Sequence, residues 1–129
     1  MKNKSVIVLI GLLSFFACPI LVSAQIPQQI INGLKIGDAG AVAAHFNENI
    51  ELVIVDQESV CSKAQGEQIL KDFFSHNKPS DFKITHQGSE DSPYAIGKMQ
   101  TSSGNFRVYF LLRSKGGSMQ IVQLKIDKD

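Results

Sequence analysis

The chain has 129 residues, of which 13 are basic and 12 acidic, for a formal charge of +1, and 43% of it is apolar. Neither sign dominates and no basic stripe is interleaved with aromatics, which argues against nucleic acid as the main partner. Once an export signal is set aside, the remaining length suffices for one domain with one core.

Lys2 and Lys4 precede an apolar run from Val6 to Leu21, and Val22-Ser23-Ala24 offers small residues for cleavage. This is the pattern of a secretory signal peptide over residues 1–24, which predicts a periplasmic or secreted protein. The run is about 16 residues, short of the roughly 20 that span a bilayer, and no later segment is apolar enough to do so. Lipoprotein processing at Cys18 is the rival, but Phe15-Phe16-Ala17 puts a bulky residue where a small one is usual. The mature chain, Gln25–Asp129, loses two lysines and carries a net charge of about −1. Its sole cysteine is Cys61, so no intramolecular disulfide can form. That thiol reads as a small apolar residue at a strand end beside Val60 rather than as a nucleophile.

Pro27 suits the first turn of a helix, and Ile30, Ile31 and Leu34 supply its apolar stripe. Gly37 ends it, Asp38 caps the next helix, and Val42, Ala43 and Phe46 recur there at helical spacing. Asn47 to Asn49 interrupt the pattern. Ile50, Leu52 and Ile54 then alternate with Glu51, Val53 and Val55 as a strand apolar on both faces, hence interior. Asp56 to Ser59 reads as a turn before a short strand at Val60-Cys61. Ser62 and Gln65 form a capping box that opens a third helix, with Ile69, Leu70, Phe73 and Phe74 on one side. Gly66 costs that helix about 1 kcal/mol relative to Ala, which implies a close packing contact.

From Asp81 the pattern is all strand, with Phe82, Ile84 and His86 alternating on one face. An acidic loop from Gly88 to Pro93 follows, then a strand from Tyr94 to Thr101 in which Gly97 suggests a bulge. A three-residue turn after it would put Tyr94 and Ile96 on the core face; a two-residue turn would put Ala95 and Met99 there. The last hairpin, residues 105–126, alternates Phe106, Val108, Phe110 and Leu112 with polar or exposed positions. A three-residue Lys115-Gly116-Gly117 loop pairs Phe110 with Val122, Val108 with Leu124 and Phe106 with Ile126, and is preferred on that apolar match.

The order is helix, helix, strand, short strand, helix and a four-stranded antiparallel meander. It resembles the cone-shaped α+β fold of nuclear transport factor 2 (NTF2), shared by ketosteroid isomerases and SnoaL-like cyclases. LKIGDAGAVAAHF is similar to the paired opening helices of that superfamily. SKAQGEQILKDFF, KITHQG, YAIGKMQTSSGNFRVYFLL and KGGSMQIVQLKI together resemble the DUF4783 family of small exported bacterial proteins, found mainly in Bacteroidetes. The resemblance implies an NTF2-like α+β cone over residues 25–129, three N-terminal helices packed on a curved, mainly antiparallel sheet. It brings no assigned activity with it.

Ketosteroid isomerases need a carboxylate base and two buried donors that stabilise an enolate. Asp56, Tyr94 and Tyr109 are the residue types at hand, yet Asp56 sits in a wet turn and Tyr109 falls opposite the hairpin's core face, so no catalytic residue is assigned. His45, His76 and His86 have no ligand spacing, and Gly116-Gly117 is a hairpin turn rather than a phosphate loop, so neither metal nor cofactor is expected. The leading expectation is non-catalytic binding of a small apolar ligand in the cone, with His86, Tyr94 and Lys98 near its mouth. Against it stands a cone filled by Phe73, Phe74, Phe82, Phe106 and Phe110. The alternative is a homodimer or protein partner on the outer sheet face, through Tyr109, Leu111, Met119 and Ile121 ringed by Arg107, Arg113 and Lys125.

Overall fold

The computed structural model describes residues 26–88 and 92–129. The export signal read over residues 1–24, Cys18 within it, and Ser89 to Asp91 of the acidic loop lie outside them. Three helices, α1 (Gln28–Ile36), α2 (Ala39–Ala43) and α3 (Lys63–His76), accompany six strands. These are β1 (Phe46–Ile54), β2 (Gln57–Ser62), β3 (Pro79–Gly88), β4 (Tyr94–Thr101), β5 (Gly104–Lys115) and β6 (Ser118–Lys128). The sheet order is β2-β1-β6-β5-β4-β3, antiparallel throughout except for the β1–β6 pair. No helix among the described residues is long and apolar enough to cross a membrane.

Local chemistry starts and stops the helices as the residue types dictate. Gly37 closes α1 with φ 78°, and the Asp38 carboxylate accepts from the Ala41 N–H at 3.0 Å to open α2. Ser62 and Gln65 complete the capping box of α3 in both directions. Gly66 is where that helix meets the sheet, since a β-carbon there would lie 3.1 Å from both Phe46 and Ile50. The helices cover one face, against which Phe46, Ile50, Leu52, Phe110, Leu124 and Ile126 are buried. Each such side chain contributes about 1.5–3 kcal/mol through burial.

Bulges set the curvature and several registers. The last hairpin turns on two residues, Gly116 and Gly117 with φ 58° and 86°, and Lys115 faces Ser118. That corrects the three-residue loop. A two-residue turn alone would leave Phe110 facing Gln123, but the ladder shifts between Leu111 and Leu112, so that Phe110 meets Leu124 and Val108 meets Ile126. A bulge at Val122 thus recovers the apolar match by another route. Phe46, read as helical, begins β1 and pairs with Ile121. The polar Asn47–Asn49 stretch spans a second register shift, between Phe46 and Glu51. The β1–β2 turn is Val55-Asp56, both at positive φ (46° and 68°), and β2 already starts at Gln57. β4 and β5 join by a two-residue turn with Thr101 opposite Gly104, which buries Ala95 and Met99. A third bulge lies on β3, between Ile84 and His86, rather than at Gly97.

Candidate functional site

The concave face is not filled everywhere. A cavity of about 530 Å³ opens between α3 and the β1–β2 hairpin. Leu52, Ile54, Ile69, Phe73 and Phe106 form its apolar wall, with Phe73 set edge-on to Phe106 at a centroid distance of 5.1 Å. Gln57 and Ser59 border it from β2, Asp72 and His76 from α3, Asn77 from the C-cap of that helix, and Lys128 from the end of β6. Spacing along α3 brings Ile69, Asp72, Phe73 and His76 to one side, and strand alternation does the same for Gln57 and Ser59.

The far wall is held by hydrogen bonds at the C-terminus of α3. Both the main-chain and side-chain N–H groups of Asn77 donate to the Phe73 carbonyl, at 2.9 and 3.0 Å. Ser103 Oγ donates to the His76 carbonyl at 3.1 Å, and the Ser102 N–H donates to the Lys78 carbonyl at 3.0 Å. The tip of the β4–β5 hairpin therefore fastens the helix end. His76 Nδ1 lies 3.0 Å from the Asp72 carbonyl and 3.7 Å from its carboxylate. Both are acceptors, so Nδ1 carries the hydrogen and Nε2 is the open ring nitrogen when the imidazole is neutral. At the opposite lip stands Val55, a β-branched residue in the left-handed region, whose N–H donates to the Ile126 carbonyl at 2.8 Å.

The residues expected at the cone's mouth lie elsewhere. His86 pairs with Ile96, and the bulge before it turns its side chain to the helix-free face; Tyr94 and Lys98 alternate with the buried Ala95, Gly97 and Met99 and share that face. None of the three borders the concave cavity. They do form a surface feature: His86 Nε2 is 3.0 Å from the Tyr94 hydroxyl, Tyr94 stacks 6.1 Å from Tyr109, and Lys98 pairs with Asp129 at 3.2 Å. Of the residues assigned to an outer interface, Tyr109 and Leu111 do lie there, flanked by Ile96 and Tyr94. Ile121 is fully buried and Met119 packs against the core, because the two-residue turn shifts β6 by one position.

Among the described residues two titrating groups are displaced. Burial pushes the Cys61 thiol up, and its Sγ lies 3.9 Å from the Ile50 carbonyl, so it carries little thiolate at neutral pH. On the outer face the hydrogen-bonded Glu58 carboxyl raises the Glu51 carboxyl, with desolvation and like charge adding to the effect. Among the described residues no three His, Cys, Asp or Glu side chains converge where they could hold a metal ion.

Sequence reasoning missed Asp72, His76, Asn77 and Lys128. The helical spacing of Ile69, Phe73 and His76 was available as a signal, but nothing local shows that β2 stands away from α3.

The fold is shared with solved proteins. A DUF4783 family protein from Bacteroides fragilis is 32% identical over 81% of this chain and 100% of its own, with a TM-score of 0.79. A DUF4783 family protein from Bacteroides ovatus is 30% identical over 81% of this chain and 96% of its own, with a TM-score of 0.78. At 14% identity, an NTF2-like protein of unknown function from Silicibacter pomeroyi shares the fold alone, with a TM-score of 0.57 over 77% of this chain and 86% of its own. No curated protein matches. The family model described as a domain of unknown function, DUF4783, matches residues 27–127, from the start of α1 into the last strand, and the chain belongs to that family.

Proposed function

We propose that the protein binds a small, largely apolar molecule in the concave cavity and performs no chemistry on it. The observation that carries this reading is the cavity itself: about 530 Å³, with Leu52, Ile54, Val55, Ile69, Phe73 and Phe106 supplying an apolar lining beside the polar residues of β2, α3 and β6. That size lies within the roughly 300–1,000 Å³ usual for small-molecule sites. Its polar groups sit where they would orient a ligand's wet end, and the Asp72–His76 pair is spread along one exposed helix edge rather than gathered on a reacting atom. Export of the chain, implied by residues 1–24, suits a carrier or sensor of such a molecule outside the cytoplasm.

Native mass spectrometry of the mature protein, recovered from a bacterial periplasm, tests it. A non-covalent mass increment lost on denaturation is expected, together with enhanced fluorescence of added 1-anilinonaphthalene-8-sulfonate. Ile69→Trp, which fills the cavity from α3, should abolish both while leaving the circular dichroism unchanged. A bare mass with no dye response overturns the reading.

A second reading, docking of a protein partner on the outer sheet face, is favoured by the His86–Tyr94–Tyr109 ladder beside Leu111.

A further inference from the structure

The two edges of the sheet differ in kind. β3 begins with Pro79, carries Lys83, and its ladder to β4 is broken between Pro79 and Asp81 and again between Ile84 and His86. Proline, lysine and bulges are the features that keep an edge from pairing with another chain. β2 has none of them. Its ladder to β1 runs unbroken from Gln57 opposite Ile54 to Ser62 opposite Asn49. At its centre Val60 is 76% exposed, more than Ile36 at 64%, the other large hydrophobic residue left open among the described residues.

The direction of the free main-chain groups follows from the turn. A two-residue hairpin makes Ile54 and Gln57 a hydrogen-bonded pair, so Ser59 and Cys61 also bond to β1, while Glu58 and Val60 point N–H and C=O outward and Ser62 turns its own into the cap of α3. The capping box agrees, because the Ser62 N–H is free of β1 and donates to Gln65 Oε1 at 3.1 Å.

We propose that β2 pairs antiparallel with β2 of a second copy of this chain, about a two-fold axis through Val60, joining the two sheets into one. Charge selects both the register and the partner. With Val60 facing Val60 of the partner subunit, Glu58 faces Ser62 of the partner subunit, and the two Glu58 carboxylates stand about 13 Å apart along the strand. Centring the axis on Ser59 brings those carboxylates to diagonal contact, and centring it on Glu58 sets them face to face. Of these three registers, the one centred on Val60 keeps the like charges furthest apart. Two main-chain hydrogen bonds join the Val60 residues, and the ladder ends there, because the Ser62 N–H is held by Gln65 and the Ser62 carbonyl, at the N-cap, accepts the first bond of α3. The apolar Val60 side chains cover each other on the outer face. So short a ladder is a small interface, and the dimer is weak and concentration-dependent. Gln57 and Ser59 border the cavity from the paired strand, so the two cavities open on either side of the axis.

Sedimentation velocity of the chain from Gln25, between about 10 µM and about 1 mM, should show a weight-average mass rising from monomer towards twice that value, over the concentrations where interfaces below standard size associate. Hydrogen exchange should slow at the Val60 amide over the same range. Val60→Lys, which places a gatekeeper charge on the edge, should hold the protein monomeric at every concentration with unchanged circular dichroism, whereas Leu111→Asp should leave the dimer intact. A chain monomeric throughout, a dimer that survives Val60→Lys, or a dimer broken by Leu111→Asp overturns the proposal.

Discussion

At Gly97 a β-carbon would lie 2.4 Å from Cζ of Phe82 and 2.7 Å from the Lys83 carbonyl oxygen. The backbone of β4 is used as a floor for a buried ring of the neighbouring strand, and only the residue without a side chain leaves room. Gly97→Ala should therefore destabilise the protein by about 1–3 kcal/mol, as overpacking of a closed site does, seen as a lower urea midpoint at unchanged slope. An unchanged midpoint would show that the Phe82 ring can move aside. The sequence marks this glycine as unusual within a strand but cannot say why, because the ring that excludes a methyl group arrives only when β3 and β4 pair. The same holds for Val55. Nothing in its neighbours announces a β-branched residue at φ 46°, and what holds it there is its hydrogen bond to Ile126, brought alongside by the parallel β1–β6 ladder.

Among the strands, β1 and β2 meet through a pair of like charges. Glu51 faces Val60 and Glu58 faces Val53, so the two carboxyls are diagonal neighbours on the outer face, and the Glu51 carboxyl is raised above its ordinary 4.5. A carboxyl with a raised folded value stabilises the fold fully below the unfolded value and loses that contribution as the pH rises through the folded one. The hairpin should accordingly be weaker at pH 7 than at pH 4.5. Glu58→Gln removes the cause, so its melting temperature should exceed that of the parent at pH 7 and the difference should shrink towards pH 4.5, in melts of dilute protein. A constant difference across that range would contradict the assignment. At this scale the sequence was legible where the signal is local. The Asp38 cap, the Ser62–Gln65 box and the Gly37 stop all stand where residue type and spacing put them. Strand registers were not, since each bulge, at Val122 and between Ile84 and His86, shifts every later residue to the other face. His86 changed sides for that reason, and Ile121 because the last hairpin turns on two residues rather than three.

Seen as a whole, the molecule offers a concave cavity and a helix-free outer face, and the two proposed roles separate along that division. A ligand that fills the cavity at a hundred times its Kd should add about 2.7 kcal/mol of stability, and Ile69→Trp should cancel the accompanying rise in melting temperature. Leu111→Asp lies on the other face and should leave that rise untouched while weakening any protein docked on Tyr94 and Tyr109. If Leu111→Asp instead abolished the ligand-induced shift, the two faces would not be independent. Phe73, Phe74, Phe82, Phe106 and Phe110 all lie in the buried core, as a filled cone requires, and the open space lies beyond the edge-on Phe73–Phe106 pair, between α3 and the β1–β2 hairpin.

What the sequence determined by itself is the kind and order of the elements and the faces of α1 and α3, because caps, helical periodicity and strand alternation are properties of neighbouring residues. Only the tertiary structure decided where the cavity lies. Asp72, His76, Asn77, Gln57, Ser59 and Lys128 come from three separate elements, and their meeting depends on the sheet's curvature. That curvature is made by bulges, each a single extra residue in a ladder, and the residue that becomes the bulge is chosen by the packing of the strand beside it rather than by its own chemistry.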